Sequence, residues 1–287
     1  MTVLQAPAPV PTRTSQMRAS AWLRPQMLFA YVILGLWVVV LVGVQWIAPF
    51  DPLAASGTRL SPPNGEHLLG TDSLGRDVFS RTLYGARESL PIAVAAIIGA
   101  VAIGCALGAI AGFFGGWVDA TIMRLADITM AFPAILLAMA VAAALGPGLQ
   151  NALVAIVAVW WPIYARLTRG QVLSIKQREH VEAATAIGSG RWRTLGRHIL
   201  PHSATPIMVN ATMDLGQIIL LVASLSFLGL GALPPSPEWG AMITDGAKNF
   251  YQPWIAAAPG LAMVSVTLAM NFLGDGLRDA FDVKGRR

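Results

Sequence analysis

Apolar positions in this chain gather into long blocks instead of alternating with polar ones. The blocks cover residues 28–48, 90–114, 126–145, 149–167, 205–231 and 254–273. Each is close to the ~20 residues that carry a helix across ~30 Å of hydrocarbon. Block 28–48 holds no charge and has no small-residue cleavage site at its end, so it is expected to stay as a first span and not leave as a signal peptide. The preceding residues, 1–27, are rich in Pro, Ala and Thr, contain Arg13, Arg18 and Arg24 but no acid, and read as a cytoplasmic tail. Six spans put both termini on one side. The expected fold is an all-α integral membrane protein with six transmembrane helices.

Between the first two blocks, residues 49–87 form a segment outside the membrane. It opens with Pro, Gly and Ser and then turns helical over 71–86. Asp72 precedes Arg76 by four and Asp77 precedes Arg81 by four, the favourable acid-then-base order, while Leu74, Val78, Phe79 and Leu83 share one face. That predicts an amphipathic surface helix leading into span two; an interfacial helix that only anchors the bilayer edge fits the pattern equally well.

Composition agrees: 55% hydrophobic and 12% charged residues exclude a soluble domain of 287 residues. The net charge of +5 bears on orientation more than on nucleic acid. Fifteen of the 20 Lys and Arg fall in the N-terminal tail, at Arg124, in the loop after span four (Arg166, Arg169, Lys176, Arg178, Arg191, Arg193, Arg197) and at the C-terminus (Arg278, Lys284, Arg286, Arg287). Only Arg59, Arg76, Arg81, Arg87 and Lys248 lie on the other side. By the positive-inside rule both termini and the basic loop are cytoplasmic. The single cysteine, Cys105, lies in an apolar run and excludes an internal disulfide or a Cys-based zinc site.

The basic loop carries the most specific text: Glu182-Ala183-Ala184-Thr185-Ala186-Ile187-Gly188, then His198-Ile199-Leu200-Pro201. Ala183, Ala184 and Ala186 present little bulk to an approaching partner, and Gly188 supplies a turn. Trp192 can fill an apolar pocket, and Pro201 is expected to break the helix before span five. Residue chemistry alone fits an ordinary solvated basic loop. The spacing, however, resembles the EAA loop of ABC-importer permeases: Glu-Ala-Ala, three residues, Gly, nine residues, Ile, one residue, Leu-Pro. His198 departs by standing in the Ile slot, with Ile199 beside it available to pack.

Further runs resemble the dipeptide/oligopeptide/nickel branch of these permeases, specifically its C-type subunit. They are Leu69-Gly70-Thr71-Asp72-Ser73-Leu74-Gly75-Arg76-Asp77, Leu225-Ser226-Phe227-Leu228-Gly229-Leu230-Gly231, Pro237-Glu238-Trp239-Gly240, Pro253-Trp254, Pro259-Gly260 and Gly274-Asp275-Gly276-Leu277-Arg278-Asp279. Val283 departs, where Pro is common. Physically, Gly229 and Gly231 would end span five, and Trp239 and Trp254 suit a membrane interface.

The resemblance implies a type I ABC-importer permease of the bacterial inner membrane. It divides the chain into a tail (1–27), a first span (28–48), an extracytoplasmic segment (49–87), a five-helix core (88–275) with coupling loop 168–203, and a cytoplasmic tail (276–287). It further implies a second permease, two ATP-binding cassette subunits gripping Glu182, Ala183, Ala184, Gly188, Trp192, Leu200 and Pro201, and an extracytoplasmic binding protein. Cargo would be di- to oligopeptides, or alternatively nickel chelates, heme or other peptide-sized ligands.

Asn210, Asp214 and Gln217, with Thr212, lie early in span five, where an acid is either a pathway residue or a helix-pairing one held by Asn or Arg. Asp127 beside Arg124, and Asp275, Arg278 and Asp279, read as local ion pairs. His198 and His202 are four apart but lack a third ligand, so no metal site is expected. No catalytic constellation appears, and the phosphate loop Gly-x-x-x-x-Gly-Lys-Ser/Thr is absent from the sequence. The chain is therefore expected to bind no cofactor itself, ATP and Mg being held by the partner ATPases. A secondary carrier driven by an ion gradient would show paired mid-span ionisable groups or broken helices in two repeated halves, and the sequence suggests neither.

Overall fold

A computed structural model describes residues 24–281. Most of the expected N-terminal tail and the end of the C-terminal one, with Arg13, Arg18, Val283, Lys284, Arg286 and Arg287, lie outside the described residues.

The described chain is helical: α1 (Pro25–Ile47), α2 (Val78–Phe114), α3 (Gly116–Met130), α4 (Ala134–Leu145), α5 (Leu149–Lys176), α6 (Glu179–Ala186), α7 (Leu200–Phe227), α8 (Trp239–Lys248) and α9 (Trp254–Phe281). Five segments are long and apolar enough to cross a membrane, and the bent pair α3–α4 makes up to six. The expected third span, 126–145, is therefore corrected. It is two helices at 93°. Pro133 sits at the N-cap of α4 with extended geometry, which also disfavours helix at Phe132. Before the break, α3 begins at Gly116, where Gly115 and Gly116 have φ of +67° and +57°, and its acids are held by α5: Arg169 Nη2 donates to Asp119 at 2.6 Å and Arg166 pairs with Asp127. The expected Asp127–Arg124 pair is replaced by this one.

The helix expected at 71–86 starts instead at Val78 and runs without interruption through Pro91 into the membrane-spanning block. Residues Thr71 to Asp77 form a tight turn closed by a bridge between those two residues. Asp72 Oδ1 accepts the backbone N–H groups of Leu74 and Arg76, each at 2.9 Å, a local bond that competes with helix. Asp77 caps α2 by accepting from Ser80 N at 2.7 Å and holds His67 Nδ1 at 2.9 Å, so it does not pair with Arg81. Arg81 turns to Asp72, 3.4 Å away, as does Arg76 at 2.6 Å. Leu74 is exposed while Val78 is buried, so the shared apolar face does not form.

Small residues set the packing. Gly104, Gly108 and Gly112 on α2 lie against the carbonyl oxygens of Trp161, Ala165 and Arg169 on α5, so close that an added Cβ would stand 2.4, 2.2 and 3.0 Å from them. Four-residue steps on both helices keep the two backbones in contact along their length. Gly216 faces Thr267 and Gly274 faces Met213 between α7 and α9, and Gly276 receives Met27 of α1. Trp239, expected at a membrane interface, is fully buried, with its indole N–H on Thr82 O at 2.9 Å and its ring edge-on to Trp37. Trp254 is half-buried and donates to Thr71 O at 3.2 Å. Both serve as internal ties because each indole N–H finds an acceptor.

Contacts order the ends of the bundle. Arg24 pairs with Asp279, bringing the two ends of the described chain to one face. Asp279 is thereby taken from its expected partner Arg278. At the other face Ser73 donates to Asp245 at 2.7 Å and Gly148 N donates to Leu230 O at 3.2 Å.

Candidate functional site

The Glu182 loop stands at the Arg24–Asp279 end of the bundle, held by its own small apolar core. Val181 of α6 is buried with Ala109 of α2, Val172 and Ile175 of α5, and Leu195 and Ile199, and Ala184, three residues on, is buried on the same side of the helix. Phe113 and Leu200 pack at its edge. Lys176 Nζ donates to Phe113 O at 2.9 Å and lies over the Phe113 ring, closing the C-terminal end of α2 with a cation. Ala184 therefore faces inward, and of the three alanines only Ala183 and Ala186 are exposed.

The opposite face of α6 is free of the bundle. Glu182, Ala183, Ala186 and Ile187 are exposed, Ile187 to 87%. Gly188 ends the helix with φ +85°, its N–H on Thr185 O and the N–H of Ser189 on Ala184 O, both at 3.0 Å. That pair of bonds is a Schellman cap, and its left-handed residue is the one where glycine has no steric cost.

Beyond Gly190 the chain is helical again: a turn at Arg191–Arg193, a π-helical stretch at Thr194–Ile199, then α7. Pro201 does not break this path, correcting the expectation. It occupies the first turn of α7, and the wider π turn before it accommodates a ring that would otherwise strike the preceding turn. The π stretch also turns Ile199 fully into the small core while His198 stays at its edge, which resolves the displaced Ile of the motif. Trp192 fills no pocket; it is 66% exposed, with its ring edge against Phe114. A cleft of about 570 Å³ opens between α6 and the end of α2, lined by Phe113, Phe114, Lys176, Glu182, Thr185 and Arg191. His202 stacks on His180 at 5.1 Å.

Arranged in this way, the loop is a capped helix seated on its own small apolar core. Residues 104–287 match the family described as "Binding-protein-dependent transport system inner membrane component". The chain belongs to that family. The permease is 47% identical to a dipeptide transport system permease protein, DppC, of Alkalihalophilus pseudofirmus, over 88% of this chain and 85% of the relative. It is 43% identical to a probable D,D-dipeptide transport system permease protein, DdpC, of Escherichia coli K12, over 91% and 88%. It is also 45% identical to a glutathione transport system permease protein, GsiD, of Pectobacterium atrosepticum, over 88% and 86%.

Within the permease, the other candidate residues lie on α7. Asp214 is half-buried, and its Oδ2 accepts from Trp160 Nε1 at 3.1 Å and Tyr164 Oη at 2.7 Å, both on α5. It joins α7 to α5 through aromatic donors, not through the Asn or Arg expected from sequence. Asn210 and Gln217 are exposed on the same helix, and Asn210 Nδ2 donates to Pro206 O at 2.9 Å. The structure does not bring this group near α6. Sequence reasoning passed over the glycines at 104, 108 and 112, although their four-residue spacing in an apolar helix is a packing signal. It also missed α8, whose buried N-cap Glu238 accepts from Ala241 N at 2.9 Å and from Ser89 Oγ at 3.1 Å.

Proposed function

We propose that this permease is one half of a heterodimeric pathway through which an ATP-driven importer carries short peptides across the bacterial inner membrane, with both termini cytoplasmic. The observation that carries the reading is the knob itself. One face of α6, with Ala184 buried, is held to α2 and α5 through Val181, while the other offers Glu182, Ala183 and Ile187 to a partner. A load on the exposed face reaches the membrane helices as a rigid-body displacement, because the apolar contacts between them leave little room to yield. Loop 168–203 is then the coupling loop, and Glu182, Ala183, Gly188 and Trp192 are the contacts to an ATP-binding cassette subunit. Ala184 is buried beneath the knob, Leu200 packs at the edge of its core, and Pro201 is exposed in the first turn of α7. The permease binds no cofactor; ATP and Mg belong to two ATPase subunits, a second homologous permease completes the pathway, and an extracytoplasmic binding protein delivers cargo.

Peptide cargo is supported by the named relatives, which are permeases for dipeptides, D,D-dipeptides and glutathione. The complete complex reconstituted in vesicles with its binding protein should hydrolyse ATP faster when di- to oligopeptides are supplied. Stimulation by nickel chelates or heme and by no peptide would refute the assignment.

A further inference from the structure

Asp214 lies well inside its helix. Fourteen positions separate it from Leu200 and thirteen from Phe227, so about 20 Å of helix rise extends on either side, and the carboxylate falls within the ~30 Å hydrocarbon layer. Its Oδ2 is taken by Trp160 and Tyr164. Among the described residues no donor reaches Oδ1, and that oxygen is not enclosed. Three acids at the helix ends meet arginines: Asp119 has Arg169, Asp127 has Arg166 and Asp279 has Arg24. Asp214 has no cationic partner among the described residues. Asn210, Asp214 and Gln217 stand at i, i+4 and i+7 and so share one face, on which both amides are exposed. Such a face is strongly unfavourable against lipid and belongs against water or a polar surface.

We propose that Asp214 is the receptor for the protonated amino group of the cargo during passage, an inference that rests on the peptide reading above. Trp160 and Tyr164 hold one carboxylate oxygen and thereby aim the other outward. The amides of Asn210 and Gln217, about 4.5–6 Å along the helix on either side, meet the first peptide group of the same molecule. One carboxylate between two amides suits an ammonium group, which needs one counter-charge and a few acceptors, better than a bare metal ion, which needs several ligands.

The complete complex tests this in a Cys105→Ala background. Gln217→Cys is exposed to methanethiosulfonate reagents of similar size and opposite charge. With Asp214 present, the cationic reagent should react about tenfold faster than the anionic one, and adding Asp214→Asn should level the two rates. In the same vesicles, without the Gln217 change, uptake of Ala-Ala should fall about tenfold or more in Asp214→Asn, although the asparagine oxygen can still accept from Trp160 and Tyr164. Asp214→Glu should restore most of it. A thiol at 217 that reacts equally with both reagents, or with neither, would overturn the receptor whatever the cargo. Wild-type uptake by Asp214→Asn, or equal losses in the Asn and Glu variants, would overturn it too. A reagent preference that survives in a complex carrying no peptide would keep the cation receptor and remove the peptide reading.

Discussion

Replacing Gly108 with alanine tests the central contact of the bundle. The new Cβ would stand 2.2 Å from Ala165 O, whereas ordinary van der Waals contact begins near 3.4 Å, so α2 and α5 must part by roughly 1 Å at that point. Backbone, not a flexible side chain, is what the methyl group meets, so no rotamer change relieves it. Overpacking of this kind costs ~1–3 kcal/mol, which lowers a melting midpoint by several degrees. Gly104→Ala, at 2.4 Å from Trp161 O, should cost nearly as much, and Gly112→Ala, at 3.0 Å from Arg169 O, less. Gly35→Ala on α1 is the control, since nothing lies within 4 Å of its Cβ. Helix propensity there favours alanine by up to about 1 kcal/mol, so the sign reverses. Thermal unfolding of the detergent-purified permease, followed by the loss of its monodisperse chromatographic peak, reads the whole series. The order of midpoints should be Gly35→Ala at or above wild type, then Gly112→Ala, then Gly104→Ala and Gly108→Ala. If Gly108→Ala melts with wild type, the close approach of α2 to α5 is wrong.

Three further perturbations separate the parts of the molecule. Glu182→Lys with Gly188→Leu should abolish ATP-dependent uptake while the permease still inserts, because the knob's charge reverses and a side chain is forced into φ +85°, a strain of ~1–2 kcal/mol; normal uptake would remove the coupling role. In a Cys105→Ala background, Gly190→Cys should be labelled only from the cytoplasm and Glu66→Cys only from outside, both positions being exposed; labelling of both from outside would overturn the orientation. Asp72→Ala strands Arg76 and Arg81 in a buried site and should cost ~3–5 kcal/mol, read as earlier proteolysis within 49–77; unchanged cleavage would show that the acid does not tie this segment down.

The spans were legible because a bilayer imposes a length and an apolar content that few other structures share. Local polar residues were harder to read. Asp72 and Arg76 have the spacing of a helical pair and do meet, yet in a turn, because an aspartate near a helix start can satisfy backbone N–H groups more cheaply than it can join the helix. Periodicity cannot tell those outcomes apart. Trp239 was misplaced for a related reason: the residue type favours an interface, and only the acceptor at Thr82 O makes deep burial acceptable. The Glu182 loop could be located by spacing alone, but which alanine faces inward depends on the core formed by Ala109, Val172, Ile175, Leu195 and Ile199, residues far apart in sequence.

Proline shows where sequence information stops. Pro91, Pro162, Pro206 and Pro259 lie inside helices that continue, whereas Pro133 stands at a 93° break. Ring chemistry is the same at all five, so the neighbours must decide. The helix before Pro133 carries Asp119, Arg124 and Asp127, and two of these are held by Arg169 and Arg166 toward one end of α5. Had α3 continued straight into α4, Ala138 and Ala142 would have left the core they share with Ala152 and Ala155 of α5, so the chain bends at a residue that already lacks its N–H. The break thus follows from α3 and α4 each being held to α5, one by ion pairs and the other by apolar burial, across a weak point, and hydropathy, which sees only an apolar run across Ala131, Phe132 and Pro133, has no access to it.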